Sequence, residues 1–284
     1  MIAILQAASK PLVLVFVVST MFGVGLLLTA RQLAAPLRDV RLMASALLAN
    51  FVLVPCAALA VIWLTQLDTS LGAALLLLAT VPGAPILVKL TAIARGDQAL
   101  AVGLVVLLML ISIVYQPLVL PLLIHGVAVS PGGIVRTLML SVLLPLILGL
   151  LLRAQYELLA MRLRPLVDKL STFTMLLVVF ALPALHFDAL VVFLGSGGLV
   201  AAVLFVTLGV AAGWLSGGPQ RGSQRILALC CGQGNMAAAF VVATQNFADP
   251  DVVVMLLVVM LVGAFTLIPL TLVFRRRVLF PPKR

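Results

Sequence analysis

Apolar runs of about twenty residues, the length that crosses a hydrocarbon core, recur along this chain, and the short segments between them hold nearly all of its charge. Nine such runs can be drawn, at 12–30, 42–64, 71–94, 99–124, 134–152, 170–185, 197–215, 223–246 and 252–274. The pattern predicts an all-α polytopic membrane protein with nine transmembrane helices. The run at 99–124 contains Pro117 and Pro121 and predicts a kinked or strongly tilted helix. The run at 71–94 is interrupted by Val81-Pro82-Gly83-Ala84-Pro85, and a continuous helix is not expected there. Each proline removes a backbone donor, Gly83 unwinds at little cost, and the carbonyls of Leu78 and Val81 are expected to lose their helical partners. Inside a bilayer such groups are tolerated only where they face protein or a water-filled cavity, and an unwound stretch at mid-membrane depth is a common form of solute site.

Composition removes the soluble alternatives. Hydrophobic residues make up 64% of the chain and charged ones 9%, with a mean hydropathy of +1.32, so no soluble catalytic domain of ordinary size is left over. The first ten residues are short and weakly basic, and the run after them is expected to be a span rather than a signal peptide. A net charge of +10 would suggest nucleic acid in a soluble chain, but here it sorts by loop. Fifteen of the 18 Lys and Arg residues fall on one side, Lys10 and Arg136 fall on the other, and Lys89 stays within a span. The positive-inside rule then predicts a multi-pass protein of the cell (inner) membrane. Its N-terminus would be outside and residues 275–284 would form a basic cytoplasmic tail. The expected partners are the lipid bilayer and a small solute, with no nucleic acid.

An offset of 152 residues brings landmarks of the two halves into register. Asp97 meets Asp249, Pro117 meets Pro269, and Pro82-Gly83 meets Gly234-Asn235. Equivalent runs are an odd number of crossings apart, so the copies oppose each other in the membrane. The prediction is an inverted repeat of four helices plus four, at 12–124 and 170–274, with the helix at 134–152 unpaired. The offset also marks a second break, Gly232-Gln233-Gly234-Asn235. Two broken helices crossing at these points would aim half-helix N-termini, with free N–H groups, at one central site. Pro82, Gly83, Lys89, Gln233, Gly234 and Asn235 are therefore the candidate substrate-binding residues, and a small organic anion is the candidate substrate. Gln233 and Asn235 could instead tie helices together by hydrogen bonds.

Other chemistry is sparse. Cys56, Cys230 and Cys231 lie in apolar runs without zinc spacing and read as small buried hydrophobes. His125 and His186 fall in loops, as do Asp188, Asp249 and Asp251, and no span carries a carboxylate pair. No metal site or cofactor is expected, and an intramembrane enzyme lacks its constellation. Thr91, Tyr115, Gln116 and Thr244 are among the polar residues that could line a cavity.

Three stretches together carry a resemblance: Asn50 to Val54-Pro55, Pro82-Gly83 running into Ala94-Arg95-Gly96-Asp97, and Gly232 to Ala239 followed by Asp249-Pro250. In order and over nearly the whole chain, the sequence resembles the bile acid:sodium symporter family. The resemblance implies a core domain made of the second to fourth and seventh to ninth spans, with the two broken helices crossing inside it. It implies a panel of the first, fifth and sixth spans, and alternating access between panel and core. It also implies sodium ligands, and most of these are missing here. The positions that match them are occupied by Leu87, Val88, Ala101, Val105, Cys230 and Gly234, leaving Asn235, and Asn50 in place of a glutamine, as polar equivalents. Sodium needs several oxygen ligands, which these apolar side chains do not supply.

Lys89 follows the lost positions directly. An ammonium there would replace the cation electrostatically, and one that released its proton during the cycle would link transport to protons. Lys89 and Asn50 are accordingly the candidate coupling residues. The alternative for Lys89 is a stem that snorkels to the interface. The expectation is a secondary transporter of a small organic anion, sodium-independent or proton-linked. The alternatives are a sodium-coupled symporter of bile-acid-like carboxylates with unusual ligands, and a channel or transporter-like sensor.

Overall fold

Helices account for every regular element in the computed structural model, which describes residues 2–28, 39–124, 130–185 and 197–279; no strand occurs among the described residues. The long helix α1 (Ile2–Leu27) comes first. It is followed by α2 (Val40–Leu48), a π-turn (Ala49–Leu53) and α3 (Val54–Thr65) in one continuous rod. The run at 71–94 folds as two pieces, α4 (Thr69–Ala79) and α5 (Ile86–Ile93). Helix α6 (Gln98–Leu123) continues through both of its prolines. A second π-turn (Met139–Leu143) joins α7 (Pro131–Leu138) to α8 (Leu144–Gln155). Then come α9 (Glu157–Leu185) and α10 (Gly198–Ser216). The second broken helix is α11 (Arg221–Cys231) with α12 (Met236–Asn246), and α13 (Asp251–Leu279) is last. Among the described residues, seven helical segments are long and apolar enough to cross a bilayer, so this is a multi-pass membrane protein.

The π-turns sit where a proline removes a donor. Pro55 cannot bond the carbonyl of Phe51, and Val54 reaches back five residues to Ala49 instead. The freed Phe51 carbonyl accepts the Tyr115 hydroxyl of α6 at 2.6 Å, and the two rings lie 4.7 Å apart. Pro145 produces the same five-residue step after Met139.

Some boundaries differ from the sequence expectation. Residues 157–169 read as a charged loop, yet they form the first turns of α9. Arg153–Glu157 at 2.9 Å and Arg164–Asp168 at 3.6 Å are helix-spaced ion pairs, which let a charged stretch stay helical outside the apolar layer. Arg275 and Arg276, expected in a tail, continue α13, where positive charge suits a helix C-terminal end. Asp251 opens α13 rather than lying in a loop. Cys56 is exposed on α3 instead of buried; Cys230 and Cys231 are buried as expected. His125, His186 and Asp188 lie outside the described residues.

Helices α1, α8 and α9 pack on one another. Gly25 and Gly149 bring α1 and α8 together backbone to backbone: a Cβ on Gly149 would stand 3.0 Å from the Cα of Gly25. A second set of contacts joins α3, α4, α10, α11 and α13. At one end of the bundle, Ser70 at the start of α4 hydrogen-bonds Asp249 before α13, and Asn246 of α12 donates to Thr137 of α7 at 3.1 Å. At the other end, α5 closes in a Schellman turn, with Gly96 N bonding Thr91 O at 2.9 Å and Arg95 N bonding Ala92 O at 3.1 Å. Arg95 occupies the left-handed position of that turn, at φ 57°, where glycine is usual and another residue costs roughly 1–2 kcal/mol.

The Phe51 carbonyl has a direct test. Tyr115→Phe keeps the ring and removes the hydroxyl, leaving a half-buried acceptor without its donor at a cost of about 1–3 kcal/mol. The expected result is a melting temperature in detergent lower than wild type by a few degrees.

Candidate functional site

The first break begins where α4 runs out of donors. Pro82 has no N–H, and Gly83 turns the chain at φ 90°, a conformation that glycine adopts without strain. A Cβ on Gly83 would sit 2.8 Å from both the Val105 carbonyl oxygen and the Met109 nitrogen, so the unwound stretch lies directly on the backbone of α6. Several carbonyls at the end of α4 find partners. The Thr80 hydroxyl donates to Leu76 O at 2.9 Å and Leu77 O at 3.1 Å. Gln116 of α6 donates its Nε2 to Leu77 O at 3.2 Å, and Val81 N turns back to Leu78 O at 3.3 Å. The Val81 carbonyl is satisfied from the other broken helix, by the Asn235 backbone N–H at 2.8 Å.

That bond joins the two breaks. On the second one, Gly232 N bonds Ala228 O at 3.1 Å and Gln233 N bonds Cys230 O at 3.3 Å, which ends α11. Gly234 then passes against Leu78: a Cβ there would meet the Leu78 carbonyl oxygen at 2.7 Å. Asn235 caps α12, its Oδ1 accepting from Ala238 N at 3.1 Å. The side chain is fully buried, and its Nδ2 has no partner.

Pro82, Gly83, Gly234 and Asn235 are therefore brought to one crossing, and the freed carbonyls of Leu78 and Val81 face protein. Asn50 is nearby but separate. It is buried in the π-turn with its Nδ2 on Ala46 O at 2.9 Å, and Cys230 Sγ lies 4.0 Å from its Oδ1. The two positions that correspond to lost or replaced cation ligands thus touch each other. Gln233 is half-buried, and a Cβ on Gly263 of α13 would lie 3.9 Å from its Oε1. Lys89 stands apart, on the exposed face of α5 that also carries Ile86 and Ile93.

The half-helix N-termini depart from expectation in one respect. Their positive dipole ends are present, but most of the donors are used. Leu87 N bonds Ala84 O at 3.0 Å, Val88 N bonds Pro85 O at 3.3 Å, Met236 N bonds Gly234 O at 2.9 Å, and Asn235 takes Ala238 N. Tight turns at both helix starts consume the N–H groups locally. Of the positions where the resemblance implies cation ligands, Leu87, Ala101, Val105 and Cys230 are each at most 2% exposed, whereas Val88 and Gly234 are half-buried.

Thr80 and Gln116 hold the first break, and Tyr115 holds the π-turn. Tyr115 and Gln116 were legible only as polar residues in an apolar run, without a role, and Thr80 was not singled out. Its signal is a hydroxyl two residues before a proline at a helix end. An apolar crevice beside the first break is lined by Val24 and Leu27 of α1, Pro85 and Val88 of the α5 end, and Val102 and Val106 of α6.

Known proteins match this chain in two ways. One relative, named as an uncharacterized sodium-dependent transporter YocS from Bacillus subtilis (strain 168), is 28% identical over 144 residues, covering 49% of this chain and 44% of that protein. The chain thus spans less than half the length of that curated relative. A model of the sodium bile acid symporter family matches residues 12–193, which is more than half of the chain. With the apolar helices and the proline-glycine break inside the matched region, the chain belongs to the sodium bile acid symporter family.

Proposed function

We propose that this protein is a secondary active transporter that carries a small amphipathic organic anion by alternating access and does so without sodium. The observation that carries the reading is the crossing itself. Two broken helices are hydrogen-bonded at Val81 and Asn235, and a buried amide nitrogen is left over at that point, while the family's cation positions hold Leu87, Ala101, Val105 and Cys230. A hard cation has no oxygen cage in such a setting.

In this reading the chain crosses the membrane nine times as an inverted repeat with α7–α8 unpaired, its N-terminus outside and its C-terminus in the cytoplasm. Helices α1, α7, α8 and α9 are the panel, and the remaining helices are the core. The mutual packing of α1, α8 and α9 supports that division. The crevice between α1, α5 and α6, beside the first break, offers a narrow apolar wall on which the apolar part of an amphipathic substrate would lie once the two groups of helices separate. The positive ends of α5 and α12 favour a carboxylate or sulfonate over a cation. Lys89 is the coupling residue of this reading; it stands on the exposed face of α5 one residue past Val88, so coupling through it acts from outside the crossing.

A sodium-coupled symporter is the second reading, and the printed name of the Bacillus subtilis relative favours it. Thermal unfolding of the purified protein against a panel of organic anions separates the two. A ligand that binds the native state raises the melting temperature by mass action. An anion that stabilises equally in sodium and in choline supports the first reading, whereas stabilisation seen only in sodium establishes the second.

Two substitutions follow. Lys89→Met is expected to abolish the pH dependence of uptake into proteoliposomes; uptake with an unchanged pH profile excludes Lys89 as the coupling group. Gly234→Val forces a branched side chain against Leu78 at a cost of about 1–3 kcal/mol. It is expected to lower the melting temperature by a few degrees and to abolish uptake, and normal uptake would remove the crossing from the mechanism.

A further inference from the structure

Panel and core meet along a seam whose two ends are built differently. At the end that holds Asp249, α12 runs away from the crossing and packs on α1 and α7. Asn246, the last residue of α12, donates its Nδ2 to the Thr137 hydroxyl of α7 at 3.1 Å. At the other end the seam holds the apolar crevice between α1 and the α5–α6 pair. We propose that Asn246 and the Gly133–Thr137 face of α7 form a clasp that keeps the seam shut at the Asp249 end, and that releasing it is the step that exposes the crossing to that side. The inference rests on the alternating-access part of the function proposed above, not on the choice of solute or coupling ion.

The bond crosses between the groups, whereas others stay within one. Thr20 of α1 pairs with Ser171 of α9 at 2.6 Å, inside the panel. Tyr115 with Phe51, Gln116 with Leu77 and Ser70 with Asp249 all lie inside the core. The seat on α7 is also shaped for this side chain. A Cβ on Gly133 would stand 2.5 Å from Asn246 Oδ1, so the amide rests against bare backbone. Gly133 and Thr137 share one face of α7, and a carboxamide spans them, its oxygen over the glycine and its nitrogen on the hydroxyl. A second bond from the same Nδ2 to Val242 O, at 3.0 Å, steadies the amide from its own helix.

The clasp is weak, as a gate has to be. It is a neutral hydrogen bond between half-buried side chains, and losing one such bond shifts a two-state equilibrium by about two- to tenfold. The crossing is firmer, held by a backbone bond and by glycine contacts with no room for a Cβ. Directly after α7 comes the π-turn Met139–Leu143, a point at which the angle between α7 and α8 can change. At the crevice end the lining side chains are valine, leucine and proline, which part without breaking a hydrogen bond.

The experiment follows the labelling of two reporter cysteines by a water-soluble maleimide, on the purified full chain in nanodiscs, in choline chloride without sodium or added solute. Each reporter is placed in a Cys56→Ser background, whose own rate is subtracted. Val242→Cys reports the clasp end: Val242 is buried one turn nearer the crossing than Asn246, on the same face of α12. Val24→Cys reports the crevice. Thr137→Val keeps the shape and removes the acceptor. It is expected to speed labelling of Val242→Cys by about two- to tenfold and not to speed that of Val24→Cys. Gly133→Ala pushes the amide off its seat and is expected to act in the same direction, so it decides the matter if Thr137→Val folds poorly. Thr20→Val removes a hydroxyl within the panel and is expected to leave both rates unchanged. A folded Thr137→Val protein with an unchanged Val242→Cys rate, or an equal acceleration in Thr20→Val, overturns the clasp and leaves the anion reading standing, since neither solute nor sodium takes part. Acceleration of both reporters together overturns the clasp and alternating access with it, because a loosened or pore-like body opens at both ends at once.

Discussion

Every backbone N–H and C=O that leaves a helix inside a hydrocarbon layer must find its partner within the protein, because lipid offers none. This chain breaks two of its helices and puts prolines into several others, so the constraint is imposed repeatedly. Its answers are specific: Tyr115 for Phe51, Gln116 and Thr80 for Leu77, Asn235 for Val81. All of these bonds but the local one from Thr80 fix one element against another. The cost of interrupting a helix is thereby turned into tertiary structure.

The bond between Val81 and Asn235 has the widest consequences. It joins two stretches more than 150 residues apart in sequence. Glycine at 234 and glycine at 83 allow the approach, one toward Leu78 and the other onto α6. The two breaks and α6 therefore form one packed unit, and a movement of either break carries the other with it. Helices α1 and α8, joined through Gly25 and Gly149, form a separate close contact.

The interior next to the crossing is packed and apolar at several of the positions where the family resemblance implies oxygen ligands. Leu87, Ala101 and Val105 are packed into the core, and Cys230 meets Asn50 rather than a cation. What stays polar is the Asn235 amide and the dipole ends of the half-helices.

Much of this was legible in the residues alone, because the bilayer makes local rules strict. Runs of apolar residues mark helices wherever backbone groups cannot be left to solvent. Pro82, Gly83, Gly232 and Gly234 mark breaks because proline lacks a donor and glycine unwinds cheaply. The absence of oxygen ligands at Leu87 or Ala101 could be read from side-chain type. Other features required the tertiary structure. Which group receives the Val81 carbonyl depends on a distant segment, and nothing local to Pro82 names Asn235. The helical start of α9 escaped a hydropathy reading because its charges are spaced as i,i+4 ion pairs and its apolar contacts, at Ala160 and Val167, are few. Cys56 and Lys89 lie in apolar stretches like their neighbours, yet both are exposed, because the face that a helix turns toward its partners is set by packing between helices and not by the run in which a residue sits.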